Sequence, residues 1–257
     1  MKMYQLKSKT KVLAGLCAII AGISLAGCGK AADSSAPEVT KVTYMVTIAN
    51  QTSGQYTKND SSNLTITGLN FSRFAFITHK TQGSVWQEGS SPNQGIVHVA
   101  EWGRVDAAGV ANGDQSLDEL GAALISNGEA YSKALSSAGI GMGATITFNI
   151  EVDKNYPYIS FAGMVAPSAC FFTGGSNIAL YENGNFISSK TVNLYAYSAE
   201  SRDNADLIVL RNASNNVTVG TPTNIIALVG NSSRVLNNVK AQLPTSKVLG
   251  TVTFTRI

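Results

Sequence analysis

Residues 159–174 read ISFAGMVAPSACFFTG. They describe a strand that runs into a loop centred on Pro167 and leaves through Phe171-Phe172 toward Gly174-Gly175. A rigid strand delivers that loop, and its residues are not simple turn filler, so a site is expected there.

Working outward, the same extended signature dominates. From Gly143 onward the chain reads as β throughout. Ala144, Ile146, Phe148 and Ile150 alternate, and residues 158–165, 177–181, 191–197, 205–210, 216–219, 225–229 and 249–256 form further strands, separated by turn residues such as Asn183-Gly184-Asn185. Upstream, residues 41–50 alternate Val42, Tyr44, Val46 and Ile48 against Thr43, Met45 and Thr47, which is one buried strand face. Residues 51–62 break the pattern, and 63–67 and 71–78 resume it.

A helical interlude lies between the two β regions. Ser91-Pro92 makes a cap and first-turn pair, Ile96, Val99 and Ala100 share a face, and Gly103 stops the helix. Ser116 and Glu119 have capping-box spacing and open a second helix with Leu117, Leu120 and Leu124 on one side. Residues 130–137 are read as a third. Such brief segments decorate a sheet, so the fold class is an all-β antiparallel sandwich or barrel with short helices in its connections. No repeat of fixed period and no composition shift follows residue 40, so residues 41–257 are read as one domain.

The N-terminus carries an address. Lys2, Lys7, Lys9 and Lys11 precede an apolar run over residues 12–25, which is shorter than the roughly 20 residues a spanning helix needs. The run ends in Leu25-Ala26-Gly27-Cys28, which resembles a bacterial lipobox. Residues 1–27 are thus expected to be a signal peptide, Cys28 a lipidated first residue, and residues 28–40 a tether. The alternative is an ordinary secretory signal. Gly29 after the cysteine favours, by resemblance to Gram-negative sorting, an outer-membrane lipoprotein of the cell envelope, facing the periplasm or the cell surface. Removing the four lysines from 19 basic residues leaves 15 against 16 acidic ones, a mature charge of about −1. A nucleic-acid partner thereby loses its electrostatic support. Cys17 falls in the signal and Cys28 carries lipid, which leaves Cys170 without an internal disulfide partner.

Catalytic signatures fail in turn. The chain has no G-x-S-x-G, H-E-x-x-H, C-x-x-C, EF-hand or phosphate-cradling glycine motif, and only two histidines, His79 and His98. Ser168 near a histidine has no marked orienting acid, so the chain is read as a non-enzyme. His98 and Glu101, spaced i and i+3, could share a ligand or fix a helix to the sheet. For zinc, Cys170 and His79 are the only further soft candidates, and nothing in the spacing brings them together. Trp86 and Trp102 are either binding platforms or core and rim packing.

With these residues in view, the mature chain resembles the spondin N-terminal domain in its bacterial lipoprotein version. Residues 44–55 match a V-T-I-x-N-x-T-x-G-Q start; His79, Gly89, Gly95 and Ala100-Glu101-x-Gly103 match an H…G…G…A-E-x-G run. Met164-Val165-x-Pro167 with Phe172-x-Gly174 matches M-x-x-P-(S/T)-x-D-x-F-x-G. Residues 194–197 match the strand before a D-A-G-T-D/E loop, and residues 252–257 the closing strand. The resemblance implies a C2-like, eight-stranded antiparallel β-sandwich. It also implies a calcium ion held between two loops by three aspartates. Those positions fall here on Cys170, Ser198 and Arg202. A thiol and a guanidinium are poor substitutes for carboxylates, so calcium is disfavoured and the family site is expected to be lost or weakened, with Glu200 and Asp203 as substitutes nearby. Arg202 is expected to place its own cation there, pairing with Glu200, Asp203 or loop carbonyls. The resemblance further implies a binding or adhesion module at the cell envelope, contacting an unknown extracellular or envelope protein or glycan. The runner-up is an envelope hydrolase or carbohydrate-active protein, and a structural lipoprotein is a third reading.

Overall fold

The computed structural model describes residues 39–58, 62–107, 114–168, 170–203, 205–209 and 226–257. The expected signal peptide, Cys28, nearly all of the tether, the strand expected at 216–219 and the end of that at 205–210 lie outside the described residues.

In chain order the described elements are β1 (Lys41–Asn50), β2 (Gln55–Thr57), β3 (Thr65–Thr67), β4 (Asn70–Phe71), β5 (Ala75–His79), α1 (Gln94–Trp102), α2 (Leu117–Ser126) and β6 (Ala130–Leu135). They continue with β7 (Thr145–Asp153), β8 (Tyr158–Ala166), β9 (Phe171–Ala179), β10 (Tyr181–Glu182), β11 (Asn185–Phe186), β12 (Ser189–Leu194) and β13 (Tyr197–Ser198). Last come β14 (Ala227–Leu228), a 3-10 turn (Val229–Asn231), α3 (Asn237–Gln242) and β15 (Gly250–Arg256). One sheet has the order β12-β15-β1-β7, and the other β14-β13-β9-β8-β5-β6 with β4 beside β8. The pairings within both are antiparallel. β2 with β3 and β10 with β11 form small separate hairpins.

The sheets face each other across an aromatic core. Phe76 of β5 stacks on Phe161 of β8 at 4.7 Å and meets Phe148 of the opposite sheet at 5.1 Å, while Phe161 reaches Phe254 at 5.9 Å. On β1 the alternation is realised: Tyr44, Val46 and Ile48 are buried and Met45 is exposed. The architecture is an all-β antiparallel sandwich. Its second sheet is covered on the outside by helices, with Ala75, Ile77, Ala162 and Phe172 packed against Ile96, Val99 and Leu117. β8 is therefore buried on both faces, which is why its sequence reads as a continuous apolar run.

The helix signals hold with one shift. α1 is capped by Asn93, whose side chain accepts from the Ile96 N–H, not by Ser91; Gly103 closes it at φ 64°. Ser116 and Glu119 form the full capping box of α2. Three expectations are overturned. Residues 130–135 are strand β6, because the free edge of β5 takes them up, with Thr78 Oγ1 meeting Ser132 Oγ at 2.9 Å. That edge pairing outweighs a weak helical preference. The chain beyond residue 143 is not β throughout, since α3 intervenes, and Ala205 contributes only a bridge to Val235. Finally β9 begins at Phe171, so Phe171-Phe172 belongs to a strand and the turn is tighter than its sequence suggests.

Candidate functional site

The turn between β8 and β9 meets the end of β13. Ser198 pairs with Phe171 and Tyr197 with Phe172, which sets Cys170 beside Ser198 although 28 residues separate them. Cys170 Sγ lies 3.9 Å from Ser198 Oγ, and the Ala199 N–H donates to the Cys170 carbonyl at 3.1 Å. After Ser198 the chain turns sharply: Glu200 adopts φ 51°, left-handed backbone, at the position the D-A-G-T-D pattern gives to glycine. Its N–H donates to Ser198 Oγ at 3.1 Å, and its side chain is buried, with Oε1 lacking a hydrogen-bond partner among the described residues.

α1 supplies the next component. Its last turn carries Glu101, fully buried where the helix dipole is already negative, so a carboxylate there needs a cation. Arg202 provides one, with Nη2 2.5 Å from Glu101 Oε2. A second guanidinium braces the loop: Arg234 Nη1 donates to the Glu200 carbonyl at 2.9 Å, and Nε lies 3.2 Å from Asp203 Oδ1. Asp203 is otherwise turned to solvent. Burial pushes the Cys170 thiol up to about 12; Glu101 and Glu200 push the same way, while the Ser198 contact and Arg202 oppose them. Position 170 thus holds a neutral thiol.

The sequence-predicted site residues divide accordingly. Cys170, Ser198, Glu200 and Arg202 converge on one loop cluster. Arg202, expected to pair with Glu200, Asp203 or loop carbonyls, pairs with Glu101. Asp203 goes to Arg234, which no sequence signal marked. His98 and Glu101 take different partners, since His98 Nε2 lies 3.2 Å from Asp114 Oδ2. Trp86 is buried and donates its indole N–H to the Phe161 carbonyl at 3.2 Å, a packing role. Trp102 is half-buried with the Arg104 guanidinium 5.4 Å from its ring. Ser168 Oγ accepts the Phe171 N–H at 3.1 Å and so ties the turn. His79 pairs with Tyr158 at the far end of β8, about 26 Å from the Cys170 turn by strand rise.

Calcium takes six to eight hard oxygen ligands. Where Cys170, Ser198, Glu200 and Arg202 converge, the donor set is a neutral thiol, a hydroxyl, the single buried carboxylate of Glu200 and a guanidinium already joined to Glu101, too few hard oxygens and too much positive charge for that ion. Among the described residues no group of three or more His, Cys, Asp or Glu side chains could hold a metal.

A protein-family model described as Spondin_N matches residues 42–218, which spans β1 and both loops of this cluster. No curated protein matches the chain.

Proposed function

The chain belongs to the spondin N-terminal domain family, and from that premise we propose that it is an extracellular binding or adhesion module, held at a bacterial envelope by lipid on Cys28. The match over residues 42–218 carries this reading. Leu25-Ala26-Gly27-Cys28 supports the anchor, placing the acylated cysteine a short tether ahead of β1. A binding role in place of hydrolysis is supported by the state of the candidate nucleophiles: Ser168 is committed to the turn and Cys170 stays protonated.

In the same reading the family's calcium site is lost, and the loop after β13 is tied to α1 by the Arg202–Glu101 pair, a cation supplied by the chain itself.

Fractionation with fatty-acid labelling checks the anchor: the wild type partitions with membranes and carries label, and Cys28→Ser carries none. A labelled Cys28→Ser variant overturns it. Cosedimentation of the detergent-solubilised full chain with envelope preparations, before and after protease treatment, checks binding; retention by neither overturns it. Thermal melts with calcium and with EDTA are expected to coincide, and a calcium-dependent rise of several degrees, abolished by chelator, would count against loss of the site.

A further inference from the structure

A groove opens on one flank of the sandwich, between β12 and the second half of β9. β12 is the outer strand of its sheet, and beyond Phe172 β9 pairs only with β8 among the described residues. Two depressions of about 600 Å³ and about 530 Å³ adjoin there, sharing Gln82, Asn177 and Ile178 in their walls.

Its walls are polar and aromatic in a particular combination. The larger depression presents the half-buried rings of Tyr195 and Tyr197 together with the exposed amides of Gln82, Gln87 and Asn193. Among the described residues those three side-chain amides make no hydrogen bond, so their donors and acceptors are open to a ligand. The Tyr197 side of the aromatic wall is braced. Tyr197 stacks on Phe172 at 5.5 Å, and Trp86, which also lines the depression, meets Phe172 at 5.1 Å and Tyr197 at 5.2 Å, both edge-on.

The floor is fixed as well. Asn177, at φ 56°, accepts the Gly83 N–H on Oδ1 at 2.8 Å and donates its own N–H to Ser160 Oγ at 2.9 Å. Ser160 Oγ in turn lies 2.8 Å from Nε2 of the buried His79. This chain of hydrogen bonds, buried at its His79 end, fixes the floor around Asn177.

Charge narrows the class of ligand. Glu88 is the charged side chain in the larger depression, and the lysine of the smaller one is already engaged, since Lys190 Nζ donates to the Ala179 carbonyl at 3.1 Å and meets Glu182 at 3.4 Å. No free cation is offered to a phosphate or carboxylate by the residues lining either depression. Flat phenol rings suit the C–H faces of a sugar, and planar amides suit its paired hydroxyls. An extended peptide adding to the edge of β12 fits less well, because Lys190 bridges from that edge to β9, and a lysine on an edge strand is a common guard against strand addition.

We infer that this groove binds an uncharged oligosaccharide, its sugar rings stacked on Tyr195 and Tyr197 and its hydroxyls bonded by Gln82, Gln87 and Asn193. The inference rests on reading the domain as a binding module and names its partner class and its site.

The test is calorimetric titration of the detergent-solubilised full chain. The probes are neutral hexasaccharides of glucose (α1,4- and β1,4-linked) and of N-acetylglucosamine, a hyaluronate hexasaccharide and a (Val-Thr)5 peptide. At least one neutral hexasaccharide is expected to bind, with affinity falling about tenfold or more in Tyr195→Ala and in Gln87→Ala. Met45→Ala, on the exposed face of β1, serves as the control and retains the affinity. Unchanged melting temperatures establish that the variants fold. Binding of the peptide or hyaluronate alone, no binding of any neutral hexasaccharide, or full affinity in Tyr195→Ala overturns the inference. Envelope cosedimentation separates the two failures: retention unchanged in Tyr195→Ala sinks the groove alone, whereas no retention of the wild type sinks the binding-module reading itself.

Discussion

Arg202 Nη2 sits 2.5 Å from Oε2 of Glu101, a carboxylate 0 % exposed in the last turn of α1. The contact joins the loop after β13 to the helical layer outside the second sheet, next to the Cys170 turn. A buried carboxylate at a helix C-terminus is costly on both counts, so the guanidinium compensates a charge the fold has already committed to burying.

Truncating the cation is therefore expected to cost more than truncating the acid. Arg202→Ala leaves the Glu101 charge without its guanidinium and should destabilise by about 3 kcal/mol in urea unfolding, less than a fully buried pair because Arg202 keeps some solvent contact. Glu101→Gln should cost less, and the double variant should show a coupling of about 1–3 kcal/mol. Additive losses would mean that the pair does not tie the loop after β13 to α1.

Glu200 bears two local penalties, left-handed backbone at φ 51° and a buried Oε1 lacking a hydrogen-bond partner among the described residues. Glu200→Gly removes both and is expected to raise stability by about 1 kcal/mol, after the entropic cost of a new glycine. A loss of stability would show that the carboxylate contributes more to the cluster than its geometry indicates.

His79 gives the pH profile a defined edge. The Thr81 carbonyl can only accept, so Nδ1 carries the proton and Nε2 accepts from the Ser160 hydroxyl. Burial lowers the imidazole below its ordinary 6.5, partly offset by the Thr81 bond. The unfolded chain then binds a proton that the folded chain refuses. The stability is fully present above 6.5 and is lost as pH falls below it. Melting temperature should drop between about pH 7 and about pH 5, and His79→Gln should flatten that step. A further loss belongs below 4.5: Glu119 is lowered chiefly by the Ser116 N–H and Glu129 chiefly by Lys80, and protonation removes what they contribute. A wild-type profile flat from about pH 7 to about pH 5 would rule out the His79 assignment.

Cys170 is expected to be inert in the native state. Its thiol is buried and pushed up to about 12, so a disulfide reagent at neutral pH should label it only after denaturant is added. Stoichiometric labelling of the folded chain would contradict the packing. Cys170→Asp places a new carboxylate among Glu101 and Glu200 and should cost at least about 3 kcal/mol.

Much of this was legible from residue order. The alternation over Lys41–Asn50, the stop at Gly103 and the capping box at Ser116 and Glu119 each depend on neighbours within a few residues, and each appears as its pattern requires. The ordered motifs sufficed for the family, because a shared fold repeats its turn glycines and buried positions in sequence. They also placed Cys170, Ser198 and Arg202 in one region, since the family pattern carries spatial information across chain distance.

What remained was decided by which edges and loops meet. Residues 130–135 became a strand because β5 offered an unpaired edge, a fact external to the segment itself. Arg202 found its acid 101 residues away on α1 in place of the nearby Glu200 or Asp203, and Arg234, beyond the family match, took Asp203. The groove between β12 and β9 likewise exists only once two sheets are stacked, bringing Gln82, Asn177 and Tyr195 to one surface. Local conformation is encoded by local sequence, whereas the pairing of buried charges and the shape of a surface follow from packing, in which the partners are chosen by burial and geometry.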